Sequence, residues 1–248
     1  KEFCWRADTL AAFAARVDGV AAYDVRRLRR GGRLDLARGE SILEFRVEPE
    51  PCSDWYNGYT YLDTLSHEAV RKFIEVSYEP YRRRVGRYFG KAVPGIFTDE
   101  PNHGSAVVPL PHAGGHGTPW TQKLPSVFRK RYGYDILAHL PSIFLDPAGK
   151  VVNQARYHYH DCITHLFVDA FARQIGEWCG RNGVAFTGHV NQEDMLASQT
   201  YSVGDCMRFY EHMQAPGMDL LTEHWRIWDV AKQVSSVARQ FGRTWRLT

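Results

Sequence analysis

The sequence lacks the cysteine patterns that zinc-binding and redox domains use. Its five cysteines form no Cys-x-x-Cys pair, and Cys162 and Cys179 fall in the apolar stripe of one predicted helix. A reduced, structural role is therefore expected for them. No apolar run approaches the ~18 residues of a membrane span and no signal peptide opens the chain, so no membrane partner is expected and the localisation is left open.

The chain also has little excess of either sign of charge and lacks nucleotide-binding motifs. The formal net charge is only +3, and the arginine clusters at 26–30 and 82–84 are typical of solvated faces, so no nucleic-acid partner is expected. The chain has no Walker loop and no Gly-x-Gly-x-x-Gly after a strand, which removes support for nucleotide binding. It has neither a Gly-x-Ser-x-Gly nucleophile elbow nor a His-Glu-x-x-His zinc motif.

What the chain does contain is a globular composition, with 44% apolar and 24% charged residues. In ESILEFRVEPEP, Leu43, Phe45 and Val47 alternate with Ile42, Glu44 and Arg46, which predicts a half-buried strand in the first part of the chain. From Tyr59 onward, short apolar strands alternate with helices. Strands are predicted at 59–63, 93–98, 183–190, 217–222 and 244–248, and helices at 66–90 (with a kink at Pro80), 118–132, 153–180, 204–213 and 229–241.

Alternating strands and helices predict an α/β fold with a parallel sheet that is buried on both faces. Two architectures fit this pattern, an open doubly wound sheet and a (β/α)8 TIM-type barrel. Polar residues at the carboxyl ends of strands favour the barrel, because there those ends converge on one mouth where catalytic residues lie. These residues are Asp63, Asp99, Glu100, His189, Glu193, Glu223 and His224.

The predicted barrel is incomplete, because about five strands are found where closure needs eight. The chain is therefore divided into a mixed segment with a β excursion, residues 1–55, and a partial catalytic barrel, residues 56–248.

The sharpest local signal is VPGIFTDEPNHG, residues 93–104, in which an apolar strand ends in Asp99 and Glu100. Pro101 and a long loop rich in glycine, proline and histidine follow, which is typical of a functional loop. Adjacent side chains at a strand end point to opposite sides, so one acid can face a substrate while the other anchors the loop. General acid catalysis at a glycosidic oxygen uses a carboxylic acid in such a place. The alternative is that the acids only cap the next segment or pair with arginines.

The histidines and carboxylates of GHVNQED and TEHW allow two interpretations. His189, Glu193, Glu223 and His224 can bind sugar hydroxyls beside an aromatic platform such as Trp225. The same groups can hold a divalent ion in a metal-dependent hydrolase. Sugar recognition is favoured because no metal-binding spacing is present, so no cofactor is expected. A structural divalent ion such as calcium stays an open alternative.

Several stretches together carry a family resemblance. They are SDWYNGYTYLDTLSHEAVRKFIE, FGKAVPGIFTDEP, FRKRYGYDIL, IGEWCGRNGVAFTGHV, SQTYSVGDCMRFYEHM, PGMDLL and KQVSSVARQFGR. From about Ser53 to Thr248 the chain resembles the central barrel of glycosyl hydrolases related to family 106, the α-L-rhamnosidases. The resemblance implies a (β/α)8 catalytic domain within a longer multidomain chain, a carbohydrate substrate, and inverting hydrolysis by two carboxylic acids.

The resemblance also implies roles for individual residues. It places the general acid directly before the proline, at Glu100. From their positions at strand ends, Asp63, Asp99, His189, Glu193 and Glu223 are then expected to line the sugar subsite. The resemblance places a second catalytic glutamate after the seventh strand, where TWRLT ends at Thr248. The expected partners are therefore the remaining domains of a parent chain, and a noncatalytic carbohydrate-binding or structural fragment is the alternative to an active glycosidase.

Overall fold

The computed structural model describes residues 3–106, 108–109, 115–150, 152–219 and 228–243. Over these residues the fold is mixed α/β. The chain forms two discontinuous compact units, Lys1–Tyr61 with Val107–Cys162, and Leu62–Ala106 with Ile163–Thr248. The division into a 1–55 segment and a 56–248 catalytic region stays a prediction, and the compact units follow a different course along the chain. Within the described ranges no helix is long and apolar enough to cross a membrane.

The secondary structure of the described residues consists of short strands and mostly short helices. The strands are β1 (Thr9–Asp18), β2 (Ala21–Arg27), β3 (Glu40–Arg46), β4 (Gly95–Asp99), β5 (Val108–Pro109), β6 (His116–Gly117), β7 (Asp146–Pro147), β8 (Ala185–His189) and β9 (Ala215–Pro216). The α-helices are α1 (His67–Val76), α2 (Tyr78–Val85), α3 (Leu124–Tyr132), α4 (Leu140–Phe144), α5 (Gln154–Phe167), α6 (Gln174–Arg181), α7 (Leu196–Ser202), α8 (Cys206–Tyr210) and α9 (Trp228–Gln240). Short 3-10 helices lie at Asp54–Tyr56, Gly86–Tyr88 and Ile136–Ala138, and a π-helical segment, Val168–Arg173, joins α5 to α6.

The first unit is built on a sheet with the strand order β3-β1-β2-β7. Strand β1 pairs antiparallel with both β2 and β3, and its residues 11–15 are fully or almost fully buried. Alanine is a poor strand former by propensity, but its small side chain fits a strand that is buried on both faces. The strand predicted in ESILEFR is confirmed as β3.

The second unit holds a parallel sheet with the order β4-β8-β9. This sheet is not closed among the described residues. The structure therefore shows an α/β arrangement but does not show a complete barrel. In β4 and β8, Asp99 is paired with His189, so both strands end at the same edge. Burial on both faces was predicted for the sheet, and among the described residues it does not hold along β4. Strand β8 is largely buried, whereas β4 is only partly covered and Phe97 is 52% exposed.

The strand predicted at 59–63 is wrong. Asn57 and Gly58 both adopt left-handed conformations, which turn the chain back so that Tyr59 forms only an isolated antiparallel bridge with Ser53. Residues 60–63 form no strand. In place of the strand predicted at 217–222, the structure has the short strand β9, which ends at Pro216. Residues 220–222 lie outside the described residues. The strand predicted at 244–248 lies outside them as well.

Helix positions follow the sequence pattern, with shifts that have local causes. Helix α1 begins after Ser66, whose side chain accepts a hydrogen bond from the Ala69 N–H (3.3 Å). The break expected at Pro80 occurs at Ser77, because proline is tolerated in the first turn of α2, where its missing N–H has no helical partner. The helix predicted from Thr118 begins only at Leu124, since Thr118 hydrogen-bonds the Tyr159 hydroxyl (2.7 Å).

The cysteines provide a direct test of the buried core. All five are free thiols, with Cys4 and Cys52 exposed and the other three buried. Burial raises the pKa of Cys162 and of Cys179 to about 12, and it also raises the pKa of Cys206.

Because the thiolate is the reactive species, iodoacetamide at pH 8 should modify only Cys4 and Cys52 in the native protein, as read by mass spectrometry. Rapid native labelling of Cys179 would contradict this core, and denaturant should expose all of the thiols.

Candidate active site

The candidate site begins where β4 ends. Asp99 is the last residue of β4, its side chain is exposed, and its Oδ1 lies 3.3 Å from the Nε2 of His189. Glu100 follows with a φ of 46°, a left-handed conformation that is uncommon for a residue with a side chain. The Asn102 side chain donates a hydrogen bond to the Glu100 carbonyl oxygen (3.1 Å). The chain therefore turns sharply between the two acids, and they take different positions.

His189 occupies the matching position on the neighbouring strand. It is the last residue of β8, it is only 7% exposed, and its ring makes a T-shaped contact with Phe97, with 5.7 Å between the ring centroids. Its Nδ1 is buried and has no hydrogen-bond partner in the part of the chain that the structure describes. The imidazole is thus held by packing on one side, with Nε2 directed to Asp99.

Glu100, His189 and Asp219 form a cluster beyond the sheet, which we call the strand-end cluster. One carboxylate oxygen of Glu100, one ring nitrogen of His189 and one carboxylate oxygen of Asp219 lie within 4.8 Å of one another. Each residue follows or ends a different parallel strand, β4, β8 or β9. Carboxylates and imidazole at this spacing can bind the hydroxyl groups of a sugar, and the same donor set suits a divalent ion.

Glu193 is hydrogen-bonded to the backbone of Asp219, a member of this cluster. It is only 6% exposed, and both of its carboxylate oxygens are hydrogen-bonded. One accepts the Asp219 main-chain N–H (2.7 Å) and the other accepts the hydroxyl of Tyr210. Burial raises the pKa of Glu193, while these two hydrogen bonds and the nearby His189 act in the opposite direction. Glu193 therefore contacts protein groups with both oxygens.

Asp63 is placed on the turn that precedes α1. Its carboxylate accepts the Leu65 N–H (3.1 Å), and the neighbouring Thr64 hydroxyl donates to the carbonyl oxygen of Asn102 (2.7 Å). The Asp63 turn is thereby tied to the loop that follows β4 and Glu100. The other predicted substrate-binding residues, Glu223, His224 and Trp225, lie outside the described residues.

Sequence reasoning missed two residues of the site. Asp219 was included in a predicted strand, although an acid inside the apolar run PGMDLL is itself a signal that the strand ends before it. Tyr210 is completely buried and was treated as part of a helix. No local pattern distinguishes its hydroxyl from that of any other core tyrosine, because its partner, Glu193, is brought to it only by the fold.

Side chains gathered beyond the carboxyl ends of neighbouring parallel strands occupy the usual position of ligand and catalytic sites in α/β proteins. A family model described as alpha-L-rhamnosidase, glycosyl hydrolase 106, matches residues 39–244. The chain therefore belongs to glycosyl hydrolase family 106.

The fold is also similar to that of a solved structure. The chain is similar to a rhamnosidase from Novosphingobium sp. PP1Y, with a TM-score of 0.57 and 19% sequence identity, over 90% of this chain and 22% of that chain. At this identity the likeness concerns the fold alone. The chain spans 22% of the length of that structure. No curated protein matches the chain.

Proposed function

We propose that this chain is part of the catalytic domain of a glycoside hydrolase that acts on α-L-rhamnosides, with Glu100 as the general acid. The observation that supports it is the strand-end cluster, in which an exposed carboxylic acid stands beside His189 and Asp219. Membership of the family supplies the substrate class. In this proposal β4, β8 and β9 are neighbouring strands of a (β/α)8 barrel, of which the described sheet is a part.

The general acid has to reach the oxygen of the leaving group. Glu100 is exposed, and its left-handed backbone separates its side chain from that of Asp99. In the proposed reaction its carboxyl proton passes to the glycosidic oxygen as the bond to the anomeric carbon breaks. Asp99 and His189, which end paired strands at one edge of the sheet, and Asp63, on the turn before α1, then bind sugar hydroxyls.

The spacing of the acids restricts the role of Asp219. In an inverting glycosidase the two catalytic carboxyl groups stand ~6.5–9.5 Å apart, because a water molecule lies between the base and the sugar. The nearest oxygens of Glu100 and Asp219 fall within 4.8 Å. We therefore assign Asp219 to sugar binding, and the base of an inverting reaction is a different carboxylate.

The same cluster favours a second candidate function, a hydrolase in which a divalent ion takes part. Two carboxylates and an imidazole within 4.8 Å of one another meet the spacing that a metal ion needs. Elemental analysis of the purified full-length protein and activity after chelation separate the two candidates. Full activity in metal-free protein removes the second one.

Hydrolysis of a panel of p-nitrophenyl glycosides by the full-length protein that carries this chain tests the proposed function. We expect the α-L-rhamnoside to be cleaved with the highest kcat/KM. For a Glu100→Gln variant, the matched control is Glu177→Gln, which makes the same chemical change at an exposed helix position and should leave the rate unchanged. A protein that cleaves no glycoside, or that prefers another sugar, would overturn the proposal.

A further inference from the structure

Glu193 is bonded to the protein in a way that suggests a task other than sugar contact. We propose that Glu193 is a positioning residue, whose carboxylate holds the Asp219 backbone beside β8 and so sets the geometry of the strand-end cluster. Its kinetic consequence rests on the proposed function, whereas the structural link does not. The proposal replaces the predicted sugar-binding role of Glu193.

The link runs through three hydrogen bonds in sequence. The Val190 N–H, directly after β8, donates to the Tyr210 hydroxyl oxygen (3.2 Å). That hydroxyl donates in turn to one oxygen of Glu193, and the other oxygen accepts the Asp219 N–H (2.7 Å). The ladder between the strands ends nearby, where the Gly217 N–H donates to the Gly188 carbonyl oxygen (3.0 Å). Glu193 thus continues the connection between β8 and β9 beyond the last backbone hydrogen bond.

Glu193 itself is fixed through its main chain. Its main-chain carbonyl oxygen accepts hydrogen bonds from the side-chain amides of Gln199 on α7 (2.8 Å) and Gln233 on α9 (3.4 Å). The two amides also bond to each other, from Gln199 Nε2 to Gln233 Oε1 (3.1 Å). Both helices therefore set the position of the Glu193 backbone, and its carboxylate has little freedom to move.

The position of Asp219 matters because it lies only three residues beyond β9, in a stretch without regular secondary structure. Without the bond to Glu193, no other described hydrogen bond fixes the Asp219 N–H. Asp219 is assigned above to sugar binding, and a misplacement of about 1 Å in a group that positions the substrate can cost about 10²-fold in rate. Glu193 thereby influences the chemistry through Asp219, with no contact to the sugar.

Three variants of the full-length protein test this inference. Glu193→Leu removes both acceptors, and Glu193→Gln keeps one oxygen for the Asp219 N–H. Tyr210→Phe removes the hydroxyl that joins Val190 to Glu193 and leaves the bond between Glu193 and the Asp219 N–H in place. We expect Glu193→Leu to lower kcat by about 10²-fold, and we expect Glu193→Gln to recover most of the wild-type kcat. Tyr159→Phe is the matched control, since it removes another buried tyrosine hydroxyl with two partners, Thr118 and the Pro119 carbonyl oxygen.

Amide hydrogen exchange at Asp219 provides the readout that is independent of activity. Exchange should be faster in Glu193→Leu than in wild type, and close to wild type in Glu193→Gln, whatever the protein hydrolyses. Equal exchange in all variants would overturn the proposal, as would a kcat in Glu193→Leu equal to that of Tyr159→Phe at a similar loss of Tm. If the wild type cleaves no glycoside, the proposed function fails and the exchange data alone decide the positioning role.

Discussion

Replacing Glu100 by glutamine should lower the hydrolysis of a glycoside with a poor leaving group by ~10²–10⁴-fold. Glutamine keeps the shape and much of the hydrogen bonding of glutamate but has no proton to transfer. A leaving group such as p-nitrophenolate needs little protonation, so the rate on the aryl glycoside should fall much less. The measurement is kcat/KM of the full-length protein on an alkyl and an aryl α-L-rhamnoside, assayed side by side.

Asp99→Asn is the control for this comparison, since Asp99 adjoins Glu100 and contacts His189. A residue that binds a sugar hydroxyl affects both substrates alike, so this variant should lower the two rates by a similar factor. Equal losses on both substrates in Glu100→Gln would show that Glu100 is not the proton donor. Full activity of Glu100→Gln would end the assignment.

The second large effect is expected for stability, from Gly188→Ala. Gly188 adopts a φ of 121°, a conformation that side chains rarely take. A Cβ there would fall on the carbonyl oxygen of Thr98 in β4 and would lie 2.8 Å from the Thr98 backbone nitrogen. Because both atoms belong to the backbone of a paired strand, neither can move without breaking the sheet. We expect a loss of about 3 kcal/mol or more in the free energy of unfolding.

Gly180→Ala is the matched control for this substitution. Gly180 lies in α6, and a Cβ there would meet only the Gln214 side-chain amide, at the ordinary contact distance of 3.7 Å. Alanine is the better helix former by about 1 kcal/mol, so this variant should be neutral or stabilised. Calorimetry of both variants gives the test. A Tm of Gly188→Ala equal to that of wild type would contradict the close pairing of β4 and β8.

Much of the site could be predicted from the pattern of strand ends. Asp99 and Glu100 follow a short apolar run, and His189 follows another. The α/β pattern therefore predicts that they lie at one edge of a parallel sheet. The structure confirms this placement by pairing Asp99 with His189. The end of a strand is a local property, because it is encoded by a hydrophobic run and by the residues that terminate that run.

Glu193 shows where local reasoning stopped. In the sequence it is one more acid in GHVNQED, and nothing nearby distinguishes a solvent-facing carboxylate from a buried one. Its burial depends on Tyr210, which lies on α8, and on Asp219, which follows β9. Tyr210 and Asp219 lie 17 and 26 positions from Glu193 along the chain. Their contacts with Glu193 therefore have no signature in the periodicity of any single element.

The sequence alone determined the α/β class, the family resemblance and the acid pair at the end of β4, because each depends on residues that are neighbours along the chain. Only the tertiary structure decided that Asp219 joins Glu100 and His189, that Glu193 faces inward, and that residues 60–63 form no strand. Those outcomes depend on which strand ends and helices pack together. They also depend on which polar groups become buried, because buried polar groups have to hydrogen-bond one another. Contacts of that kind are set by the folded chain as a whole.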